Sequence, residues 1–407
     1  MSHTRRLRVL IVGLGGVTHT FRHWPERVLA LALVRRGHAV DAIGTHDPQR
    51  PALAQTHETI DGVQVVRVPP RYAPNRDLAH ALATLPRPDL IHLMHPRNVL
   101  AAQVTHWAQQ QAISTVYTWL GPLHDAYLAP DRERPFGQPP TYDRLIFSRA
   151  DLLRRAIREP NPRELLRNYR LHMPLAAAHA LLPCSHFEAS VMRQFGLRQP
   201  QTVVPLWIDQ PFISDTPHTP PAYPFPRPWL LFVGQITPRK GYDIALHALA
   251  ELVQSHPTAT LLIVSGINQA QRARLDMLAQ QLGVAAHVQV LGYLPDAALI
   301  NLYRASDALI FPTRYEGFGL PLLEAMAAEC PIITSDIPVV REIVQHGQNG
   351  LLFRYDDSRA CAHATRLLLD QPRLRHHMVA GGTRTLATSY AEATCIAQIE
   401  ACYFRVS

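Results

Sequence analysis

The sequence predicts an α/β protein built from two doubly wound domains, each a parallel sheet with helices on both faces. Three observations lead to this prediction. The chain has 407 residues, more than a single core ordinarily supports. In both halves short apolar runs alternate with helical stretches, which is typical of βαβ units. Between the halves, residues 214–228 contain six prolines in fifteen positions, as a stiff connector does.

The first half, residues 1–213, begins with an apolar run that breaks into glycines, residues 9–16, and therefore reads as a strand and not as a signal peptide. A helix at 26–36 ends at Gly37. An insertion rich in Arg and Pro, at about 125–174, is expected to lie over this domain and to contain helical pieces such as 163–170. The predicted strands are residues 7–12, 39–43, 63–68, 90–93, 114–118, 180–183 and 202–204.

The second half restarts the same alternation after the connector. Its domain is predicted to span 229–390, and a terminal helix at 391–407 can pack back on the amino-terminal domain. The predicted strands are residues 229–233, 260–265, 288–291, 308–311 and 331–334; the predicted helices are residues 243–255, 269–282, 296–305 and 321–328.

Composition narrows the class of protein. The formal charge is +8 and the sequence pI about 9.5, but the excess is spread along the chain, which does not favour nucleic-acid binding. Five scattered cysteines without C-x-x-C spacing indicate reduced thiols and a cytoplasmic protein. No run approaches 18 apolar residues, so a simple transmembrane span is not expected. The Arg-rich residues 149–170 allow peripheral contact with anionic lipid, with a solvated basic face as the alternative.

Of the 40 basic residues, Lys240 is the one lysine. Lys carries a compact point charge where Arg carries a wide planar fork. A position that keeps Lys in such an Arg-rich chain indicates a tight anionic pocket, and a phosphate is the most plausible anion. One surviving surface lysine is the simpler alternative.

The strongest pattern pairs Glu316 and Glu324, eight positions apart, with Gly317 and Gly319 between them and Pro321 at a first helical position. Glycine lets a backbone approach a ligand closely, and the free amides at the helix start, from about Phe318 to Leu322, would face an anion. Carboxylates suit hydroxyl groups better than phosphate. A sugar and a ribose flanking a diphosphate would supply them; a capped helix with solvated glutamates is the alternative.

An ordered series of motifs over about 120 residues carries a resemblance to a known family. The series reads Phe-Val-Gly-Gln-Ile-Thr-Pro-Arg-Lys-Gly (232–241), Leu-Gly-Tyr-Leu-Pro-Asp (291–296), Tyr-Arg-Ala-Ser-Asp (303–307), Pro-Thr-Arg-Tyr-Glu-Gly-Phe-Gly-Leu-Pro-Leu-Leu-Glu-Ala-Met (312–326), then Asp-Ile-Pro-Val-Val-Arg-Glu (336–342) with Gly-Gln-Asn-Gly (347–350). It resembles the carboxyl-terminal domain of the retaining GT-B glycosyltransferases of family GT4. The resemblance implies the GT-B fold, in which two Rossmann-like domains face each other across a cleft.

The resemblance also implies roles for individual residues. Lys240 would neutralise the diphosphate of a nucleoside diphosphate sugar, and Glu324 would hold its ribose hydroxyls. Glu316 would lie beside the transferred sugar, with Gly317, Phe318, Gly319 and Leu320 near the sugar and phosphate. Tyr293 and Leu294 match residues that lie alongside the nucleobase of the donor. Transfer in this family retains the anomeric configuration and needs no metal or other cofactor.

Several positions depart from the family pattern. Gln235 stands where the family usually has Arg, and Arg239 is expected to compensate for the lost cation. The usual amino-domain His is missing after residues 118–120, and His124 is the nearest candidate to contact the sugar. Gly16, in the loop 13–16, can lie against the donor or acceptor; as a bare turn it needs no ligand.

Other chemistries find less support. The loop 13–16 lacks the full G-x-G-x-x-G pattern of dinucleotide binding. His92 and His95 could suggest a metal, but such a pair at the end of a strand is more often packing. The prediction is therefore a metal-independent glycosyltransferase with a nucleotide-sugar donor. Its acceptor is open: lipid-linked saccharide, polysaccharide or small metabolite. A sugar-nucleotide epimerase of the same fold and a non-catalytic nucleotide-sugar-binding protein remain alternatives.

Overall fold

A computed structural model describes residues 6–20, 24–72, 74–95, 97–121, 146–157 and 161–407. These residues divide into two compact units. The first runs to Trp207 and also takes in Glu392–Ser407; the second is Ile208–Ala391. His124 and much of the predicted insertion at 125–174 lie outside the described residues.

The described part of the first unit holds a seven-stranded sheet. Its strands are β1 (Arg8–Val12), β2 (Ala39–Thr45), β3 (His57–Ile60), β4 (Val63–Val68), β5 (Leu90–Met94), β6 (Ser114–Thr118) and β7 (Ala180–Leu181). The order is β3-β4-β2-β1-β5-β6-β7. All neighbours are parallel except β3, which pairs antiparallel with β4 at the edge.

The second unit holds a six-stranded parallel sheet. Its strands are β8 (Trp229–Val233), β9 (Thr260–Val264), β10 (Val288–Gly292), β11 (Ala308–Phe311), β12 (Ile332–Ser335) and β13 (Leu351–Phe353). The order is β10-β9-β8-β11-β12-β13. In both units the chain therefore winds outward in two directions from a central pair of strands, β1 and β5 in the first and β8 and β11 in the second. Two doubly wound α/β units confirm the predicted fold class.

Helices cover the sheets. They are α1 (Pro25–Arg35), α2 (Arg76–Thr84), α3 (Val99–Gln110), α4 (Arg149–Ala156), α5 (Pro162–Ala177), α6 (His186–Gln194), α7 (Gln210–Asp215), α8 (Tyr242–Leu252), α9 (Gln269–Gln281), α10 (Asp296–Ala305), α11 (Leu320–Ala327), α12 (Pro338–Arg341), α13 (Ser358–Asp370), α14 (Pro372–Ser389) and α15 (Glu392–Val406). Several begin at a side chain that accepts a backbone N–H, as N-caps do; these side chains are Asn75, Asn98, Ser185, Asn268 and Asp357.

The central strands of each sheet are largely buried on both faces because helices cover both sides. In β1 and β5 every residue except Arg8 is buried, and in β11 all four residues are. Burying one such aliphatic side chain stabilises the fold by about 1.5–3 kcal/mol. The rigid central strands fix where the loops at their carboxyl ends lie.

The terminal helix α15 packs on the first unit. Its buried residues include Ile396, Ile399 and Tyr403. Arg36 forms a 2.9 Å ion pair with Glu400, and the Tyr403 hydroxyl lies 2.6 Å from Nδ1 of His92.

The segment predicted as a connector, residues 214–228, belongs to the second unit. Arg304 of α10 donates to the carbonyl of Thr216 at 2.8 Å, and Asn301 donates to the carbonyl of Pro217 at 3.1 Å. Proline keeps this segment extended, and side chains of α10 donate hydrogen bonds to its carbonyls. The chain passes from one unit to the other at Trp207–Ile208 instead.

The structure of the first unit differs from the prediction in three features. Residues 202–204 are not a strand: a single bridge joins Leu181 to Gln201. The amides of Thr202 and Val204 donate to the carbonyls of Leu181 and Pro183, but Pro183 has no N–H to donate in return, so the ladder does not continue. The edge strand β3 was not predicted, since Ile60 is its one buried residue. In the Arg-rich segment, α5 extends well beyond the predicted 163–170.

Candidate functional site

The candidate site of the second unit lies at the carboxyl ends of β8 and β11. These strands are neighbours, and the sheet order reverses between them. In doubly wound sheets, ligands bind outside the carboxyl ends of the strands at this kind of reversal. The loop after β8 spans residues 234–241, and the loop after β11 spans residues 312–319.

The first loop ends in a single 3₁₀ turn, Pro238–Lys240, followed by Gly241 in the left-handed conformation with φ of 69°. A Cβ atom on Gly241 would collide with the carbonyl oxygen of Pro312. Glycine is therefore required where the turn rests on the end of β11. The carbonyl of Arg239 accepts the amide of Arg314 at 2.8 Å, which ties the two loops together.

A buried arginine that the sequence analysis did not single out secures this turn. Arg314 donates two hydrogen bonds to Asp243 at 2.8 and 2.6 Å and two to Asp356 at 3.2 and 2.9 Å. It also donates to the carbonyl of Pro238. Bidentate guanidinium–carboxylate pairs of this kind hold geometry tightly. Arg314 therefore fixes the turn that carries Lys240 against the start of α8.

Lys240 and Glu316 form the centre of the site. The ammonium lies 2.5 Å from Oε1 of Glu316, and Arg239 lies 3.3 Å from Oε2 of the same carboxylate. The Thr313 hydroxyl donates to Oε1 at 3.0 Å. Two cations thus share one carboxylate beside the glycine turn.

Both charged groups are largely buried, with side chains 13% and 8% exposed for Lys240 and Glu316. Burial alone would raise the pKa of Glu316, but Lys240 and Arg239 outweigh it and hold that pKa below its ordinary value. Burial lowers the pKa of Lys240, although Glu316 opposes the shift. A desolvated cation of this kind interacts more strongly with an anion than an exposed one does.

Glu324 lies in the second turn of α11, half-buried. The hydroxyl of buried Tyr303 donates to its Oε2 at 2.9 Å. Burial, followed by the charge of Glu324, raises the pKa of Tyr303 well above its ordinary value, so the phenol stays protonated as a donor. The sequence analysis did not identify Tyr303 as a partner that orients Glu324.

The glycine turn leads directly into α11. Gly319 has φ of 118° and caps the helix, which begins at Leu320. Phe318 is buried with its ring 6.0 Å from that of Tyr390. The amide of Leu322 donates to the carbonyl of Gly319 at 2.9 Å, so it is not one of the amides open to an anion; that part of the prediction was wrong.

Of the remaining predicted residues, Gln235, Tyr293 and Leu294 follow the carboxyl ends of strands of the same sheet, whereas Gly16 does not belong to this unit. Tyr293, 82% exposed, follows β10, and its ring lies against Gly266, which cannot accommodate a Cβ there. Leu294 beside it is partly buried, and Gln235 is exposed after β8. Gly16 is in the first unit, where Glu26 packs against it.

In the described part of the chain, no three His, Cys, Asp or Glu side chains form a group that could hold a metal ion. His92, considered as a ligand in the sequence analysis, packs between Tyr403 and the hydroxyl of Thr118, 2.7 Å away. Of the helices that the structure describes, none combines the length and apolarity needed to cross a membrane.

Comparison with known proteins places this geometry in a family. Residues 221–385 match the family model described as glycosyl transferases group 1. The second unit belongs to this family. The match contains the turn of Lys240, the glycine turn with Glu316, and Glu324.

The D-inositol 3-phosphate glycosyltransferase of Acidothermus cellulolyticus is 38% identical over 159 residues, which cover 37% of this chain and 35% of that protein. The match thus spans about a third of the curated relative's length. It supports the group 1 assignment for the carboxyl-terminal half of the chain.

Solved structures extend the likeness to both units. Sucrose-phosphate synthase from Thermosynechococcus elongatus superposes with a TM-score of 0.70 at 20% identity, covering 98% of this chain and 99% of that one. HepE from Anabaena, solved in complex with UDP-glucose, gives 0.70 at 17% identity, covering 98% and 100%. At these identities the likeness establishes the fold, which is the GT-B fold of the group 1 glycosyltransferases.

Proposed function

We propose that this chain is a glycosyltransferase that moves a sugar from a nucleoside diphosphate sugar to a hydroxyl group of an acceptor. The observation that carries the proposal is the meeting of Lys240, Arg239 and Glu316 where the second sheet reverses. Two cations around one carboxylate at a helix start suit a diphosphate attached to a sugar. That D-inositol 3-phosphate glycosyltransferase shares this segment, and that HepE binds UDP-glucose, supports the proposal.

In the proposed complex Lys240 and Arg239 contact the diphosphate, with Arg239 making up for the exposed Gln235. The amides of residues 317–320 lie near the sugar and its phosphate. Glu324, oriented by Tyr303, accepts hydrogen bonds from the ribose hydroxyls. The exposed ring of Tyr293, with Leu294 beside it, offers an apolar surface to the base.

The proposed reaction breaks the bond between the anomeric carbon and the diphosphate oxygen, and the electron pair leaves with the diphosphate. The acceptor oxygen bonds to the anomeric carbon on the same face, and its proton passes to the departing oxygen. The configuration is therefore retained. Charge develops on the leaving group, where preorganised cations stabilise it most. Lys240 and Arg239 supply that charge, and no metal is part of the proposal.

The acceptor is proposed only as a class: a lipid-linked saccharide, a polysaccharide or a small metabolite. The proposed location is the cytoplasm. Contact with anionic lipid at the inner membrane face is an additional proposal for α4. Leu153 of this helix is 69% exposed, and Ile157, the residue directly after the helix, is 88% exposed. The same segment carries the exposed Arg149 and Arg154. Exposed aliphatic groups among arginines suit such a surface.

The proposal is tested by incubating the purified protein with UDP-, GDP- and ADP-sugars and measuring released nucleoside diphosphate by mass spectrometry. Release with at least one donor is expected, and Glu324→Gln should reduce it strongly. The matched control is Glu329→Gln, because Glu329 is exposed just after the same helix. An intact nucleotide carrying an altered sugar would indicate an epimerase instead, and binding without turnover would indicate a binding protein.

A further inference from the structure

The first unit has its own reversal of strand order, between the adjacent strands β1 and β5. The glycine-rich residues 13–16 begin the loop after β1, and His95 directly follows β5. This is the position where doubly wound sheets bind ligands. In the second unit this position holds the ion pair of Lys240 and Glu316, whereas in the first unit it holds different side chains.

A carboxylate of the chain itself occupies the glycine-rich loop of the first unit. The amide of Leu14 donates to Oε1 of Glu26 at 2.8 Å, and Cβ atoms on Gly13 or Gly16 would collide with the Glu26 side chain. Glu26 is fully buried. Burial would raise its pKa, but His95 and the amides of Leu14 and Gly16 hold that pKa below its ordinary value. A phosphate at this loop would therefore meet a buried negative charge and amides already engaged.

His95 is held from three sides. Its Nε2 lies 2.8 Å from Oε1 of Glu26, and the hydroxyl of buried Tyr117 donates to its carbonyl at 2.7 Å. The ring of Trp24 lies 6.4 Å from its own, centroid to centroid. The backbone of His95 has φ of 73°, a conformation that a side-chain-bearing residue rarely adopts. Strain of this kind concentrates at binding and active sites.

The two members of this pair differ in exposure. The side chain of His95 is 15% exposed, whereas that of Glu26 is 0% exposed. A buried carboxylate that engages one ring nitrogen fixes the orientation of the imidazole and leaves Nδ1 as the nitrogen for another partner. A ring nitrogen of histidine can form a hydrogen bond with a hydroxyl group, which can both donate and accept.

We propose that His95, positioned by Glu26, binds a hydroxyl group of an uncharged, polyol-type acceptor at the reversal point of the first unit. This rests on the proposed glycosyltransferase function and narrows its acceptor class. His95 is the binding residue, and Glu26 acts through it. Because Glu26 takes up the glycine loop, the site disfavours a phosphomonoester at the same place.

The test compares His95→Asn and Glu26→Gln with wild type. Asn adopts positive φ more readily than most residues, so His95→Asn removes the imidazole while the backbone keeps its path. The matched control is His179→Asn, the same replacement in the same unit, where Nδ1 of His179 accepts the amide of Thr115 at the opposite edge of the sheet. Thermal melts show which variants are folded. If Glu26→Gln does not fold, the test depends on His95→Asn alone.

Three measurements are made on each protein: UDP or GDP affinity by calorimetry, donor hydrolysis to water, and transfer to glycerol, glucose, myo-inositol and maltose beside glucose 6-phosphate and inositol phosphate. We expect transfer to the neutral compounds to exceed transfer to the phosphomonoesters. His95→Asn and Glu26→Gln should raise the acceptor KM by about 10-fold, the loss of one hydrogen bond, with donor affinity and hydrolysis unchanged. In wild type, a neutral acceptor should also shift the imidazole NMR signals that are missing from His95→Asn.

The assignment would be overturned by transfer to the phosphomonoesters alone, by an unchanged acceptor KM in His95→Asn, or by a parallel loss of donor affinity. Donor hydrolysis without transfer to any neutral compound would also overturn it, while leaving the donor site intact. Failure of the proposed function looks different, because wild type would then neither bind a nucleoside diphosphate nor hydrolyse a donor.

Discussion

The ammonium of Lys240 lies 2.5 Å from the carboxylate of Glu316, across two loops that are 76 positions apart in sequence. The pair satisfies both buried charges without a ligand. A diphosphate that reaches Lys240 must therefore share it with Glu316 or displace it. The two residues are expected to oppose each other in binding, although both are needed for transfer.

The first prediction concerns Lys240. Lys240→Ala should lower kcat/KM for the donor by about 30-fold to about 4,000-fold, because truncating a desolvated charge contact costs about 2–5 kcal/mol. Lys240→Arg should restore little, because a wide planar guanidinium would replace the compact ammonium that lies largely buried against Glu316. Initial rates of nucleotide release measure the effect. Arg341→Ala, with a side chain 61% exposed in the same unit, should behave as wild type; equal losses in both variants would contradict the prediction.

Glu316 should show the opposite pattern in binding. Glu316→Gln removes the carboxylate that competes for Lys240 and leaves the buried ammonium without its main partner. The free protein should unfold at a lower temperature, while a nucleoside diphosphate should bind at least as tightly as to wild type and raise the melting temperature by more. Turnover should fall. Calorimetry and thermal melts with UDP or GDP test this, and weaker binding in the variant would show that Glu316 does not compete.

The turn that carries Lys240 depends on a close backbone contact. Gly241→Ala should displace it, because the added Cβ collides with the carbonyl of Pro312. Gly283 has almost the same φ, 71°, but a Cβ there meets no atom within 4 Å. Gly283→Ala therefore measures backbone strain alone, about 1–2 kcal/mol. Gly241→Ala should cost more in unfolding free energy and should also abolish donor binding, whereas Gly283→Ala should keep it; equal effects would show that the close contact is unimportant.

The sequence predicts those parts of the fold whose signals are local. The predicted bounds of β8, β11 and α10 agree with the structure, because each is a continuous apolar or amphipathic run with a clear boundary such as Pro295. The edge strand β3 has a single buried residue and hence no apolar pattern to detect. Local patterns also cannot reveal that residues 214–228 pack on α10.

The residues of the candidate site likewise differ in whether local sequence signals reveal them. Lys240, Glu316 and Glu324 stand out through residue type and spacing, and the family resemblance adds their roles. Arg314 is one of many arginines, and its partners Asp243 and Asp356 lie 71 and 42 positions away, so spacing gives no signal. The pairing of Glu26 with His95 depends on the sheet placing β1 beside β5. Such contacts emerge only from the fold.

The last prediction concerns pH and His92, which is buried between Tyr403 and Thr118. Burial lowers its pKa from 6.5 to about 3. Between these values the unfolded chain binds a proton that the folded chain does not. The free energy of unfolding therefore falls as the pH decreases from 6.5 toward 3, by about 1.4 kcal/mol per pH unit. His172, whose pKa burial and Arg97 also lower to about 3, adds a similar slope.

Urea unfolding at pH 6 and pH 5 measures this slope. His92→Gln should reduce the difference in unfolding free energy between the two pH values by the contribution of one proton, about 1.4 kcal/mol. This holds whatever the variant's absolute stability. The remaining slope is the contribution that His172 keeps. His80→Gln is the control, because it is the same replacement at an exposed position on α2; a change in slope as large as that of His92→Gln would contradict the prediction. If His92→Gln also keeps the wild-type slope, His92 is protonated in the folded protein and its contacts with Tyr403 and Thr118 must rearrange to admit the charge.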